Sequence, residues 1–158
     1  MKALHGAAGG SVAASIEHCL EFLAAVDHYP DWYPDVVRRV AIVELGENGI
    51  ARRAEASLHV SHGPIVKDFE LLLAVDVQPP ATVVLARIAH GTSDEQRFAV
   101  TWRLRREGKG TTIELALDAD LAVPRLVPVG GVGDAIAAGF VRAAVAELDS
   151  REHPAHSG

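Results

Sequence analysis

The stretch Phe98-Ala99-Val100-Thr101-Trp102-Arg103-Leu104-Arg105, followed by Glu107-Gly108-Lys109-Gly110 and then Thr111-Thr112-Ile113-Glu114-Leu115-Ala116-Leu117-Asp118-Ala119-Asp120-Leu121, reads as strand, turn and strand. Phe98, Val100, Trp102 and Leu104 alternate with Thr101 and Arg103, and Ile113, Leu115, Leu117 and Leu121 alternate with Thr112, Glu114, Asp118 and Asp120. A period of two sends successive side chains to opposite faces of a sheet, so this hairpin has one dry face and one wet face. Glycines between the two runs supply the turn.

The same period extends upstream. Strands are expected at 36–45, 50–60, 65–77, 82–90, 95–105 and 111–121, with an Asn48-Gly49 type I′ turn after the first and Ser61-His62-Gly63-Pro64 after the second. The strand at 65–77 places Ile65, Phe69, Leu71, Leu73 and Val75 opposite Asp68, Glu70 and Asp76. The strand at 50–60 places Ala54, Ala56, Leu58 and Val60 opposite Arg53, Glu55, Ser57 and His59. Connections this short join only antiparallel neighbours, because a parallel crossover needs about a dozen residues or more. The centre is therefore a six-stranded antiparallel meander whose dry face has to be covered. The first 14 residues, interrupted by Gly6, Gly9 and Gly10, read as a poor strand at a sheet edge.

Two helical patterns flank the meander. Ser15 is a plausible N-cap for a helix with Ile16, Cys19, Leu20, Leu23 and Val26 on one stripe, where Cys19 reads as a small buried apolar residue. Val132, Ile136, Phe140 and Ala144 recur four apart in a C-terminal helix that starts near 125 or 131 and ends near 150. That helix is the element with enough apolar length to cover the sheet. Residues 1–150 form one expected domain, and 151–158 an expected flexible tail.

The chain has 158 residues, one cysteine, 15 Lys+Arg against 21 Asp+Glu and a net charge of −6. Its acidic balance, without a basic block, argues against binding nucleic acid. A single cysteine excludes an internal disulfide framework. The apolar C-terminal third is broken by Pro124, Pro128, Gly130, Gly131 and Asp134, which argues against stable membrane insertion. The expectation is a cytoplasmic protein.

The segment from Ala14-Ser15-Ile16-Glu17 to Phe22-Leu23, then Tyr29-Pro30-Asp31-Trp32-Tyr33-Pro34-Asp35-Val36, resembles the opening of START-like (SRPBCC) proteins, and the stretch 117–148 resembles their last strand, lead-in and closing helix. The group it resembles is that of the polyketide cyclase/dehydrase and lipid-transport proteins, with coenzyme Q-binding relatives. The resemblance implies an α+β helix-grip fold: a curved antiparallel sheet of six to seven strands around a long C-terminal helix, with one or two short helices after the first strand. It also implies an apolar cavity between sheet and helix. Tyr29, Trp32 and Val36 would line it from the segment after the first helix, and Ala54, Ala56, Leu58, Phe69 and Leu71 from two strands. Phe98, Val100, Trp102, Ile113, Leu115 and Leu117 would follow from the hairpin, and Leu126, Val129, Val132, Ile136 and Phe140 from the closing stretch. Trp32 and Tyr33 would form a lip at its mouth, or Trp32 would plug the core.

Candidates for chemistry are sparse. Lys67 shares the parity of Phe69, and Arg52 that of Ala54, so each could meet a ligand carboxylate or phenolate inside, or reach outward from a strand end. His90, with His59 and His62, has the titration range for acid–base work. His59-x-x-His62 lacks a third ligand by spacing, so no metal is expected, and no cofactor motif occurs. Three readings follow: a carrier of a hydrophobic small molecule such as a lipid, quinone or polyketide; an aromatic polyketide cyclase or dehydratase using Lys67, Arg52 or His90; and an interaction protein docking on a larger assembly through a patch around Trp32 and Val132. A homodimer is compatible with all three. The carrier ranks first because no catalytic signature is present.

Overall fold

The computed structural model describes residues 2–63, 65–89, 97–121 and 130–152. The chain runs β1 (Lys2–Val12), α1 (Ile16–Ala24), a 3-10 turn (Val26–His28), α2 (Tyr29–Trp32), β2 (Val37–Leu45), β3 (Ala51–His62), β4 (Ile65–Gln78), β5 (Thr82–Arg87), β6 (Phe98–Glu107), β7 (Gly110–Leu121) and α3 (Val132–Glu152). Seven antiparallel strands form one open sheet in the order β1-β7-β6-β5-β4-β3-β2. The meander has the expected order, and the helix-grip architecture is the one the sequence resembles.

Both hairpin turns at issue obtain their shape from glycine. Gly108 has φ +60° between Glu107 and Gly110, which pair across the turn. The turn after β2 differs from the type I′ expectation. That turn needs positive φ at both central residues, and here only Gly49 has it, at +78°. Gly49 N–H donates to Gly46 O, Gly46 N–H donates to Ile50 O, and Asn48 Oδ1 accepts from Ile50 N–H. Asn48 thus serves as an acceptor inside a longer loop.

The first strand is the larger correction. β1 pairs with β7 without a break from Lys2↔Leu121 to Val12↔Thr111. Its even positions, Leu4, Gly6, Ala8, Gly10 and Val12, all turn inward, where α3 lies across them. A Cβ on Gly6 would fall 2.0 Å from the carbonyl oxygen of Gly133, and one on Gly133 would fall 2.1 Å from that of His5. Four residues along the strand, and two to three turns along α3, a Cβ on Gly10 would meet Val145 at 3.0 Å and Val141 at 3.2 Å. Helix backbone rests on strand backbone, which only glycine on both sides allows.

Hydrogen bonds hold the same contact at both ends. Asp134 Oδ1 accepts from Ala7 N–H at 3.1 Å, and Asp149 Oδ1 accepts from Ala13 N–H at 3.5 Å. The Asp134 carboxylate occupies an amide of an edge strand that would otherwise offer a pairing template, and Asp149 holds the residue just past its end. At the start of α1, Ser15 Oγ accepts from His18 N–H, and the buried Thr111 hydroxyl donates to Ala14 O at 2.8 Å.

α3 shares the work of covering the dry face. It lies along β1 and β7, while α1 packs on β5, β6 and β7, and α2 and the 3-10 turn pack on β2. Cys19 on α1 is fully buried and forms no disulfide. Among the described residues no helix is long and apolar enough to cross a membrane.

The backbone contact can be tested by mutation. Gly6→Ala and Gly133→Ala are each expected to lower stability by about 1–3 kcal/mol, the range for overpacking a filled site. The double variant should lose less than the sum, because both residues act at one contact. Gly9→Ala faces outward, with its nearest neighbour at an ordinary 3.4 Å, and serves as the neutral control. Urea denaturation monitored by circular dichroism measures all four.

Candidate functional site

Phe140 on α3 is where the aromatic residues converge. Its ring lies 4.5 Å from Tyr33, 6.2 Å from Trp102, 6.3 Å from Trp32 and 6.4 Å from Tyr29, each edge-on. Tyr29 and Trp32 sit 4.7 Å apart, and Phe22 approaches Trp32 at 5.2 Å. Such edge-to-face pairs add about 0.5–1.5 kcal/mol each beyond area burial. The pair of prolines around Trp32 and Tyr33 limits α2 to one turn and delivers both rings to α3.

Two voids lie beside this cluster, between the sheet and α3. One, of about 40 Å³, is walled by Leu4, Val36, Leu58, Val60, Phe69, Leu71, Phe98, Leu117, Ala119, Ile136 and Phe140, with Arg87, Arg97 and Asp120 as its polar contributors. The other, of about 30 Å³, is walled by Val26, Tyr29, Val37, Val40, Ala54, Ala56, Leu58, Leu73, Leu85, Phe98, Val100 and Phe140. Leu58, Phe98 and Phe140 belong to both walls and separate them. A water molecule needs about 10–15 Å³ of such space, so each void has room for two to four waters and no more. An apolar lining of this kind gives water too few hydrogen bonds to hold it.

The polar groups near the voids are already engaged. The Tyr29 hydroxyl donates to Leu23 O at 2.7 Å, and burial raises its pKa far above the usual tyrosine range. Asp120, 16% exposed, accepts from the backbone and side chain of Arg97 at 3.1–3.4 Å. The Arg97 guanidinium holds the Asp120 carboxyl below its ordinary range. Among the described residues the buried indole N–H groups of Trp32 and Trp102 have no hydrogen-bond acceptor in range.

Among the residues expected to line a cavity, Tyr29, Val36, Ala54, Ala56, Leu58, Phe69, Leu71, Phe98, Val100, Leu117, Ile136 and Phe140 border one void or both. Trp32, Trp102, Ile113, Leu115 and Val132 are buried in packed protein instead, because α1 and α3 lie directly over that part of β6 and β7. Leu126 and Val129 lie outside the described residues, as does His90. Leu4, Val26, Val37, Val40, Val60, Leu73, Leu85 and Ala119 complete the walls. The alternation of β3 and β4 already pointed inward for Val60 and Leu73, whereas Leu4 was hidden by the glycines that follow it.

Neither Lys67 nor Arg52 is on a void wall. Lys67 is half-buried near the start of β4. Arg52 is exposed, and its side chain covers Gly46. His59 Nδ1 lies 2.6 Å from Asp68 Oδ1, and His62 is exposed. Among the described residues no three His, Cys, Asp or Glu side chains converge as metal ligands.

No family model matches the sequence, and no curated protein matches it significantly. Solved structures do. A START superfamily protein from Mycobacterium smegmatis is similar with a TM-score of 0.72 at 15% identity, covering 94% of this chain and 99% of that one. The Zhui aromatase/cyclase from Streptomyces sp. R1128 is similar at 0.62 and 19% identity, over 99% and 100%. A major latex-like protein from Panax ginseng is similar at 0.67 and 10% identity, over 96% and 99%. Strand order, the α1–α2 pair and the closing α3 agree with these similarities: the chain has the START-like (SRPBCC) helix-grip fold.

Proposed function

We propose that this chain binds a hydrophobic small molecule, such as a lipid, quinone or polyketide, between the sheet and α3. The observation that carries this reading is the pair of apolar voids parted only by Leu58, Phe98 and Phe140. Close-packed interiors have few gaps larger than a water, so two of them side by side under one helix are unusual. Rotation of the Phe98 and Phe140 side chains joins the two spaces, and the ligand takes the room they vacate.

A second reading, cyclisation or dehydration of an aromatic polyketide, is favoured by the similarity to the Zhui aromatase/cyclase. It needs an acid or base beside the ligand. Among the described residues the wall offers the Asp120 carboxylate, already bound by Arg97, and Lys67 and Arg52 stand elsewhere. Binding without turnover therefore ranks first. Docking on a larger assembly through Trp32 and Val132 has less support, since these side chains are 7% and 1% exposed.

Native mass spectrometry of the purified chain titrated with 1-dodecanol tests the proposal. A one-to-one complex that survives competition by detergent supports it, and a spectrum of unliganded chain at millimolar alcohol contradicts it. Ala56→Leu, which fills the smaller void, should weaken dodecanol binding by about tenfold or more, equivalent to 1.4 kcal/mol. Trp102→Ala removes a fully packed ring and should lower stability by about 3–5 kcal/mol. At a temperature where that variant is still folded, its dodecanol affinity should change less than that of Ala56→Leu.

A further inference from the structure

On the other side of Val36 from the larger void lies a surface groove of about 670 Å³. Tyr33 and Asp35 from the α2–β2 connection, Arg38 from β2, His59 and Ser61 from β3, and Arg142 from α3 border it. Trp32, Pro34, Val36 and alanines of α3 share its wall, so the groove is of mixed polarity where the void is apolar. Neither Arg38 nor Arg142 forms an ion pair among the described residues. Asp35 is the one carboxylate on the groove wall, and the Asp68 carboxylate is taken by His59. Two guanidinium groups therefore face one carboxylate, in a chain whose net charge is −6.

Val36 borders both groove and void, and Tyr33 stands near it on the groove wall. Its ring stands edge-on to Phe140 at 4.5 Å, and Phe140 lines both voids. On the groove side its hydroxyl lies over Gly139, where a Cβ would come within 2.2 Å of it. The missing side chain at Gly139 is what lets the phenol lie against α3. No hydrogen bond anchors this hydroxyl among the described residues, so the ring can swing aside without breaking one.

We propose that the groove is the site for the anionic head, a carboxylate or phosphate monoester, of an amphipathic ligand whose tail passes Val36 and Tyr33 into the void beneath α3. Arg38 and Arg142 neutralise the head, guanidinium being the side chain suited to planar bidentate recognition of both groups. The Ser61 hydroxyl adds a donor. This inference rests on the binding reading given above, narrows it to amphipaths, and places the polar end of the ligand outside the sheet–helix sandwich.

Isothermal titration of the full chain with sodium dodecanoate, 1-dodecanol and inorganic phosphate tests it, with Arg38→Ala/Arg142→Ala as the variant and circular dichroism as the check on folding. Both arginines are exposed, so the variant is expected to fold. The expected result is dodecanoate binding at least tenfold tighter than dodecanol, with that preference lost in the double variant and dodecanol affinity unchanged. Equal affinities for acid and alcohol overturn the head-group site and leave the cavity reading standing. Phosphate binding as tight as dodecanoate, and sensitive to the variant, overturns the amphipath in favour of a free anion. Binding of none of the three overturns both readings.

Discussion

The contact between the backbones of β1 and α3 sets the height of the roof over this protein's interior. Gly6 on the strand and Gly133 on the helix leave no room for a Cβ between them, and Asp134 and Asp149 tie the helix to the strand at Ala7 and Ala13. The helix is thereby fixed to the β1–β7 side of a curved sheet. Toward β3 and β4 the helical layer is thinner, and the voids open beside Phe140, the residue of α3 that walls both of them. A different residue at position 6 or 133 would lift the helix and alter the volume beneath it. The fold's architecture and its candidate site thus depend on the same pair of missing side chains.

The meander was legible because β3, β4, β6 and β7 alternate with little interruption, and alternation is the direct record of a half-buried strand. β1 was less so. Glycine carries no hydropathy signal, so the inward set Leu4, Gly6, Ala8, Gly10 and Val12 reads as weak although it is regular in the structure. Glycine looked like a weakness in the strand and is the means by which a helix lies on it. β2 was legible as a strand over 36–45 but not in its facing: bulges at Val37/Arg39, Ile42/Glu44 and Glu44/Leu45 break its period, and Ile42, Val43 and Leu45 are left exposed at the sheet edge. Bulges of this kind also twist an edge away from unwanted pairing.

The site was legible in composition and not in volume. Parity sorted inward from outward residues along most of the long strands, with Arg52, which is exposed despite sharing the parity of Ala54, as an exception, yet it could not tell which inward residues border space and which are packed solid. Trp102 and Phe98 share a strand face. Trp102 is fully buried beneath the helical layer, whereas Phe98 is half-buried and walls both voids. That distinction depends on where α1 and α3 cross the sheet, a tertiary property no single strand encodes. The polar groove was equally hidden, since Arg38, His59 and Arg142 come from three elements far apart in sequence.

The central claim is that the interior beneath α3 is apolar, dry and continuous enough to admit a nonpolar guest. Xenon, which enters dry apolar cavities, reads this directly. Crystals of the protein pressurised with xenon should show two bound atoms flanking Phe140, one toward Leu117 and Ile136 and one toward Ala54 and Ala56. Ordered water at those positions, or a contiguous core with no xenon density, would contradict the account.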